Sequence, residues 1–124
     1  MSIKNEVRDG MERITNIYRD NELLFTRVKV ADDFITKLRG LMFYREMPGI
    51  DGLLLCACQM AHLFWMRFPL DLVYLNREKA VVFIETKYPN QLGRFVKNAY
   101  YVLEINAGTG KAKNIRVGDI FDWK

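Results

Sequence analysis

The stretch LLLCACQMAHLFWMRFPLDLVYL, residues 53–75, decides the fold class of this chain. It contains short apolar runs at residues 53–58, 63–68 and 70–75. Apolar runs of this length predict buried β-strands. The longest apolar part, residues 53–66, is shorter than the about 20 residues that a membrane-spanning helix requires. The segment therefore predicts strands and no transmembrane segment.

The sequence on both sides of this stretch predicts further strands. Alternating or β-branched runs lie at residues 13–18, 23–30, 80–86, 101–105 and 119–123. Runs of this kind, bounded by polar turns, are typical of strands joined by local hairpins. We therefore expect a sheet that is built mainly from neighbouring segments of the chain.

Two helices are predicted among these strands. Asp32 or Asp33 can cap a helix after the second strand. The apolar residues of that helix recur at helical spacing, at Phe34, Leu38, Leu41 and Met42. Residues 108–114 predict a short C-terminal helix. The fold class is therefore α+β and mainly β: a strongly curved antiparallel sheet or small barrel, with one helix after the second strand and a short C-terminal helix.

Composition limits the class of protein. The 124 residues are 50% hydrophobic and 27% charged, with a formal net charge of +4. These values exclude a disordered chain, a collagen-like repeat and a coiled coil. We predict a single β-rich domain at residues 13–124, after a loose N-terminal segment at residues 1–12. The N-terminal sequence lacks the apolar region of a secretory signal, and Cys56 and Cys58 form no disulfide framework, which predicts a cytoplasmic protein.

The basic surplus lies late in the chain. Its residues are Lys87, Arg94 and Lys97, and then Lys111 and Lys113. No acidic residue interrupts residues 87–97. Such segments can bind nucleic acid or another anionic partner, but they are also typical of solvated loops and helix faces. We favour solvated surface and disfavour nucleic acid as the partner.

Most catalytic motifs are absent from the sequence. The only serine is Ser2, which argues against a serine nucleophile paired with a histidine. Residues 108–111, GTGK, lack the hydroxyl residue that completes a phosphate-binding P-loop. One histidine and two cysteines cannot complete a zinc site of four thiolate or imidazole ligands. We predict no cofactor, and we favour a binding function over an enzymatic one.

The rarest residue types of the chain gather in residues 56–71. Cys56, Cys58 and His62 could bind a soft metal ion, because thiolate and imidazole ligands suit Cu(I) or zinc. Alternatively, Cys58 could be a reactive thiolate assisted by His62, with Asp71 orienting the imidazole. The interpretation that we favour is that these residues belong to the core, where cysteine is common.

A shallow ligand pocket is the functional site that the same segment favours. Its candidate residues are Arg39, His62, Trp65, Arg67 and Asp71, with Cys58 at the edge. Apolar walls with a few polar groups are typical of small-molecule sites. The expected partner is a small molecule or a protein, and the sequence does not specify an oligomeric state.

Two carboxylates lie within apolar strand sequences. Asp71 is flanked by apolar residues, so its charge must be paired or hydrogen-bonded. Arg39, Arg67 and loop amides are the candidate partners. Glu104 alternates with apolar neighbours, and we expect it to be a charge on the solvated face of its strand.

Several short motifs occur in an order that resembles a known family. They are RGLM at 39–42, GLLL at 52–55, Cys58 with His62, FWMRFPLD at 64–71, YVLE at 101–104, AG at 107–108 and VGD at 117–119. The chain resembles the bacterial and archaeal family of the domain of unknown function numbered 192, from about residue 14 to the C-terminus. The resemblance implies a compact, mainly β domain with a helix after its second strand. It implies no established enzymatic activity, so we expect a binding or accessory module.

Overall fold

The computed structural model describes residues 13–123, and the N-terminal segment predicted at residues 1–12 lies outside this range. Seven strands and two short helices occur within the described range. In chain order they are β1 (Arg13–Arg19), β2 (Glu22–Ala31), α1 (Phe34–Arg39), β3 (Gly52–Cys56), β4 (Leu70–Leu75), β5 (Val81–Lys87), β6 (Tyr101–Asn106), α2 (Thr109–Ala112) and β7 (Phe121–Trp123). No helix in this part of the chain is long and apolar enough to cross a membrane.

The strands form a single mixed sheet in the order β5-β4-β6-β3-β2-β1-β7. β2 and β3 are parallel, whereas the other neighbouring strands are antiparallel. The prediction of an antiparallel sheet is therefore wrong at this pair. The chain leaves β2 through α1 and a long loop, and this crossover returns it to the same end of the sheet. The apolar pattern of a strand carries no information about its direction.

The sheet is not closed into a barrel, which corrects the alternative prediction. Within residues 13–123, its two edge strands approach each other at an isolated bridge between Ala80 and Ile120. Backbone hydrogen bonds support this contact, including one of 2.8 Å from Val81 N to Asp119 O. A short contact of this kind joins the sheet ends without forming a ladder of paired residues.

Both faces of the central strands are buried. On one face, Leu55, Leu72 and Val102 belong to what we call the first core. On the other face, Val73 and Leu103 belong to the second core. Because side chains alternate between the faces of a strand, central strands that are covered on both sides are expected to be mainly apolar. This explains the continuous apolar runs of the sequence.

The predicted strand at residues 63–68 is wrong, because this run is a loop that covers the first core. Leu63 and Met66 are buried in that core, whereas Phe64 and Trp65 are exposed. Trp65 has a φ of 60°, which interrupts any extended backbone. The apolar run therefore reflects burial of two loop side chains, Leu63 and Met66, and not strand pairing.

The first helix is shorter than its apolar spacing predicts. The Asp33 side chain caps it by accepting a hydrogen bond of 2.8 Å from Thr36 N. The helix ends at Gly40, whose φ of 45° and ψ of −121° are accessible mainly to glycine. None of its six residues is buried, so Phe34 and Leu38 are exposed, and Leu41 enters the core only after the helix has ended.

Candidate functional site

A cavity of about 260 Å³ lies between α1 and the loop that follows β3. Its apolar wall comes from the helix, the strand and the loop together. The wall residues include Leu38, Leu41, Leu55, Ala61 and Met66. The polar residues that line it are Lys37, Arg39, Cys58, His62 and Glu104. The cavity thus combines a mostly apolar surface with a few polar groups, as small-molecule sites do.

The Glu104 carboxyl is the buried polar group of this cavity. Glu104 lies on β6 opposite Leu53 on β3 and Leu72 on β4, and only 4% of the residue is exposed. The described residues supply it with no hydrogen bond or ion pair, although buried polar groups normally have a partner. Burial alone raises the pKa of Glu104 to about 8.

The prediction that Glu104 is a solvated charge is wrong. The alternation of Leu103 and Ile105 indicates one buried face of β6, but the other face is buried as well. Val102 shares the face of Glu104 and belongs to the first core. An apolar residue two positions earlier on the same strand was the signal that could have revealed the burial.

Gly40 brings the end of α1 directly over Glu104. A Cβ atom placed on Gly40 would lie 3.7 Å from Leu53 Cδ2 and 4.0 Å from Glu104 Oε1. The backbone at the end of the helix therefore covers the carboxyl group. These distances would admit a Cβ atom, so it is the φ of 45° that explains why a glycine stands within the apolar pattern of the predicted helix.

The Lys37 side chain connects α1 to the end of β3 by hydrogen bonds. Its Nζ atom donates hydrogen bonds of 3.0 Å to Cys56 O and 3.4 Å to Ala57 O. Its ammonium group is thereby directed at backbone carbonyls and makes no ion pair with Glu104. Arg39 also lines the cavity and is exposed, and no described residue pairs with its guanidinium. The positive charges of the cavity therefore lie at its rim.

His62 and Cys58 lie on the loop side of the cavity. His62 Nδ1 accepts a hydrogen bond of 3.2 Å from Phe64 N, which leaves the N–H of the neutral ring on Nε2. The imidazole ring stacks on Phe64 with 5.1 Å between the ring centroids. The Cys58 thiol donates to Met60 O at 3.1 Å, and burial raises its pKa. Cys58 is therefore held as a protonated thiol.

The structure brings together only part of the predicted ligand pocket. Arg39 and His62 line the cavity, and so does Cys58, which was expected at its edge. Trp65 and Arg67 are exposed and do not line it. The Trp65 backbone N–H is bound to Asn90 Oδ1 at 3.0 Å, which turns this part of the loop towards a neighbouring loop.

Asp71 lies on the other side of the sheet and does not contribute to the cavity. Its carboxylate accepts hydrogen bonds from Thr86 Oγ1 at 2.6 Å, from Gly108 N at 3.0 Å and from Gly110 N at 2.9 Å. The carboxylate therefore holds the turn between β6 and α2. Of the partners considered for Asp71, the structure shows loop amides and neither of the two arginines.

The residues proposed as metal ligands do not form a metal site. Cys58 and His62 line the cavity, but Cys56 packs against the second core and does not line it. No group of three or more His, Cys, Asp or Glu residues within 13–123 is placed to hold a metal ion. Both cysteines are free thiols, and burial raises the pKa of each, which disfavours the thiolate form.

The late basic residues lie on several elements of the fold, and some of them contact neighbouring side chains. Lys87 lies 3.8 Å from Glu85, Arg94 lies over the Phe83 ring, and Lys113 lies over the Phe25 ring. Lys111 is exposed on α2, and Lys97 is exposed on the loop before β6. These side chains are distributed over different elements and are partly engaged with neighbours.

Comparisons with known proteins identify relatives of the whole described fold. A family model for the domain of unknown function 192, described as "Uncharacterized ACR", matches residues 15–123. A UPF0127 protein of Thermococcus kodakarensis is 29% identical over 101 residues, which are 78% of this chain and 64% of that protein. A UPF0127 protein of Pyrococcus abyssi is 30% identical over 102 residues, which are 78% of this chain and 86% of that protein. The chain thus spans less than two thirds of the Thermococcus relative.

Two solved structures share the fold. A protein of unknown function from Novosphingobium aromaticivorans has a TM-score of 0.73 and 22% identity, covering 90% of this chain and 85% of that one. A candidate transcription regulator from Sinorhizobium meliloti has a TM-score of 0.75 and 24% identity, covering 90% of this chain and 93% of that one. These likenesses show the same β-rich architecture.

Proposed function

This chain belongs to the uncharacterised family of the domain of unknown function 192, and from that premise we propose that it is a binding module for a small molecule. The binding site is the cavity between α1 and the loop after β3. We take residues 13–124 as one β-rich domain that presents this site. Its two free thiols fit a reducing compartment, and we place the protein in the cytoplasm.

The observation that carries this proposal is the unpartnered carboxyl of Glu104. A buried polar group without a hydrogen bond costs about 1–3 kcal/mol of stability. The unpartnered carboxyl of Glu104 lies at the wall of a cavity and is not enclosed by packed side chains. A ligand that supplies the missing hydrogen bonds would recover that energy on binding.

The shape of the cavity supports the same function. A volume of about 260 Å³ is slightly below the roughly 300–1,000 Å³ of sites for drug-sized molecules. The cavity is therefore suited to a compact ligand. Leu55 and Met66 supply an apolar wall, while Glu104 and His62 supply polar groups that can orient the ligand.

Neither alternative function has comparable support. A thiol-dependent reaction needs a thiolate, whereas Cys58 is a half-buried thiol hydrogen-bonded to a carbonyl group. Nucleic acid binding needs a patch of available basic side chains, whereas Lys87 lies beside an acidic residue, and Arg94 and Lys113 lie over aromatic rings. Small-molecule binding requires no rearrangement of the described residues.

The test is a protein-observed NMR screen with small apolar compounds. Ligands should shift the backbone amide signals of Gly40, Leu41 and Ala61, while the signal of Gly110 on the opposite side stays unchanged. Ala61→Leu places three more carbon atoms at the cavity wall and should abolish these shifts. The matched control is Ala112→Leu, which makes the same substitution at an exposed position on α2. Shifts that persist in Ala61→Leu would contradict the proposed site.

A further inference from the structure

We infer that the ligand of this cavity is an apolar carboxamide or lactam whose amide group pairs with the carboxyl of Glu104. This inference rests on the proposed binding function and adds the chemical class of the ligand. It follows from which atoms of the cavity lack partners and from where its charges lie.

The surroundings of the Glu104 carboxyl favour its uncharged form. Within residues 13–123 no cation pairs with it, because the Lys37 ammonium binds the carbonyl groups of Cys56 and Ala57. Cys58 and His62 line the same cavity, and burial together with Glu104 raises the pKa of the Cys58 thiol. Arg39 is exposed at the rim. An isolated carboxylate in apolar surroundings is very costly, so the group keeps its proton instead. This agrees with the pKa of about 8, which burial alone produces.

A protonated carboxyl group presents two different hydrogen-bonding atoms. Its O–H donates and its C=O accepts. In Glu104 both are unpartnered among the described residues, so a fully matched ligand must offer one acceptor and one donor side by side. A primary carboxamide or a lactam has this arrangement, and the two groups can pair through two parallel hydrogen bonds. A ketone or an ether would satisfy only the donor.

A charged ligand fits the cavity less well. An ammonium group would have to lose its hydration in an apolar cavity whose rim carries the positive charges of Lys37 and Arg39. A carboxylate would be attracted by the rim but offers only acceptors to Glu104. The apolar wall favours a ring or short branched chain as the body of the ligand, given the volume of about 260 Å³.

Four compounds with one benzene ring test this inference. Benzamide is the expected ligand, benzylamine and benzoate are its charged counterparts, and toluene lacks a polar group. Binding to the full chain is followed at pH 6.5 by NMR titration of the cavity amides. Benzamide should bind more tightly than toluene by a factor of about ten or more, because two hydrogen bonds at about 1 kcal/mol each exceed the roughly 1.4 kcal/mol that corresponds to a factor of ten.

The pH dependence identifies the protonated carboxyl as the partner. Benzamide affinity should stay constant up to about pH 7 and fall about tenfold between pH 7 and pH 9, because the ligand binds the protonated form of Glu104. Glu104→Gln retains one donor and one acceptor but does not titrate. It should still bind benzamide, with an affinity that does not change over this pH range. Glu104→Met should bind benzamide no better than toluene.

The outcomes separate the ligand class from the binding function. Tighter binding of benzylamine, benzoate or toluene than of benzamide at the cavity would overturn the amide assignment and leave the proposed function intact. An affinity for benzamide that is independent of pH in the unmodified protein would also overturn it. If none of the four compounds shifts the cavity amides, both the ligand class and the proposed function are wrong.

Discussion

Two buried carboxyl groups on neighbouring strands differ in their surroundings. Asp71 on β4 and Glu104 on β6 are each 4% exposed. Asp71 accepts three hydrogen bonds, whereas Glu104 has none from the described residues. The two carboxyl groups are therefore equally buried but differ in their hydrogen bonding. Asp71 is a structural group whose hydrogen-bonding capacity is used by the fold, and Glu104 retains its capacity for a ligand.

The register of the sheet places the two groups on opposite faces. Asp71 lies opposite Ile105, while Glu104 lies opposite Leu72. Residues directly opposite in an antiparallel pair share a face, so the two acids point in opposite directions. The turn into α2 presents backbone N–H groups to Asp71. In the part of the chain that the structure describes, the end of α1 and the loop after β3 cover Glu104 and donate no hydrogen bond to it. The covering element, and not the strand, decides which carboxyl is satisfied.

The largest expected effect is the pH dependence of stability that Glu104 confers. The pKa of Glu104 is about 8 in the folded protein, against an ordinary value of 4.5 in the unfolded chain. A raised pKa contributes stability that is complete below about pH 4.5 and is lost as the pH rises to about 8. The unmodified protein should therefore lose on the order of 5 kcal/mol over this interval relative to Glu104→Gln. Denaturant unfolding at a series of pH values measures the difference.

The matched control for this prediction is Asp71→Asn. Asp71→Asn leaves Glu104 in place, so this variant should lose as much stability between pH 4.5 and pH 8 as the unmodified protein does. The free energy of unfolding of Glu104→Gln is subtracted from that of the unmodified protein at each pH. If this difference is the same at pH 5 and pH 8, the pKa of Glu104 is not raised in the folded protein. The contrast between the two carboxyl groups would then fail.

Removal of the Asp71 carboxylate should have the second largest effect. Asp71→Ala leaves the amide of Gly110 buried without its acceptor and also removes the bonds to Gly108 and Thr86. We expect a loss of about 4–5 kcal/mol in the free energy of unfolding at pH 7, since three bonds to a charged group at about 1.5 kcal/mol each amount to about 4.5 kcal/mol. Thr86→Val removes one of these bonds and should cost about 1–1.5 kcal/mol. A loss below that of Thr86→Val would contradict the structural role of Asp71.

The sequence predicts the satisfied carboxyl better than the unsatisfied one. An aspartate in the apolar context of LDLVYL must have partners, and loop amides were among those expected for Asp71. Glu104 was expected in solvent, because alternation along β6 does not reveal what covers each face. That information lies in α1 and its following loop, which are distant in sequence and pack there only after the chain has folded.

The same limit applies to the fold. Strands β4 and β6 were predicted from local patterns, and burial of both faces explains their composition. The parallel pairing of β2 with β3 and the loop at residues 63–68 were not predicted. Strand direction and loop burial depend on tertiary contacts. Such contacts produce no regular spacing of apolar residues from which they could be predicted.

A smaller effect is expected from adding a methyl group above Glu104. Gly40→Ala forces alanine into a backbone conformation with a φ of 45° and a ψ of −121°, which should cost about 2 kcal/mol. The matched control is Gly49→Ala, because Gly49 has a φ of 71° and open space around its Cβ position. It should cost about 1 kcal/mol. Gly40→Ala should also weaken benzamide binding, whereas Gly49→Ala should leave it unchanged.

The smallest effect is expected for the alkylation rate of Cys58. This rate tests whether the cavity is a binding site or the site of a thiol-dependent reaction. Burial raises the pKa of Cys58, and its thiol donates to Met60 O, so alkylation by iodoacetamide at pH 8 should be severalfold slower than that of a small-molecule thiol such as N-acetylcysteine. His62→Ala should change this rate by less than about twofold, because the described Nδ1 contact of His62 is with Phe64 N and not with the thiol. Measuring the rate in Cys56→Ser assigns it to Cys58 alone. A fast alkylation that depends on His62 would show that Cys58 is a reactive thiolate. The functional group of the cavity would then be Cys58, and the contrast between Glu104 and Asp71 would not identify it.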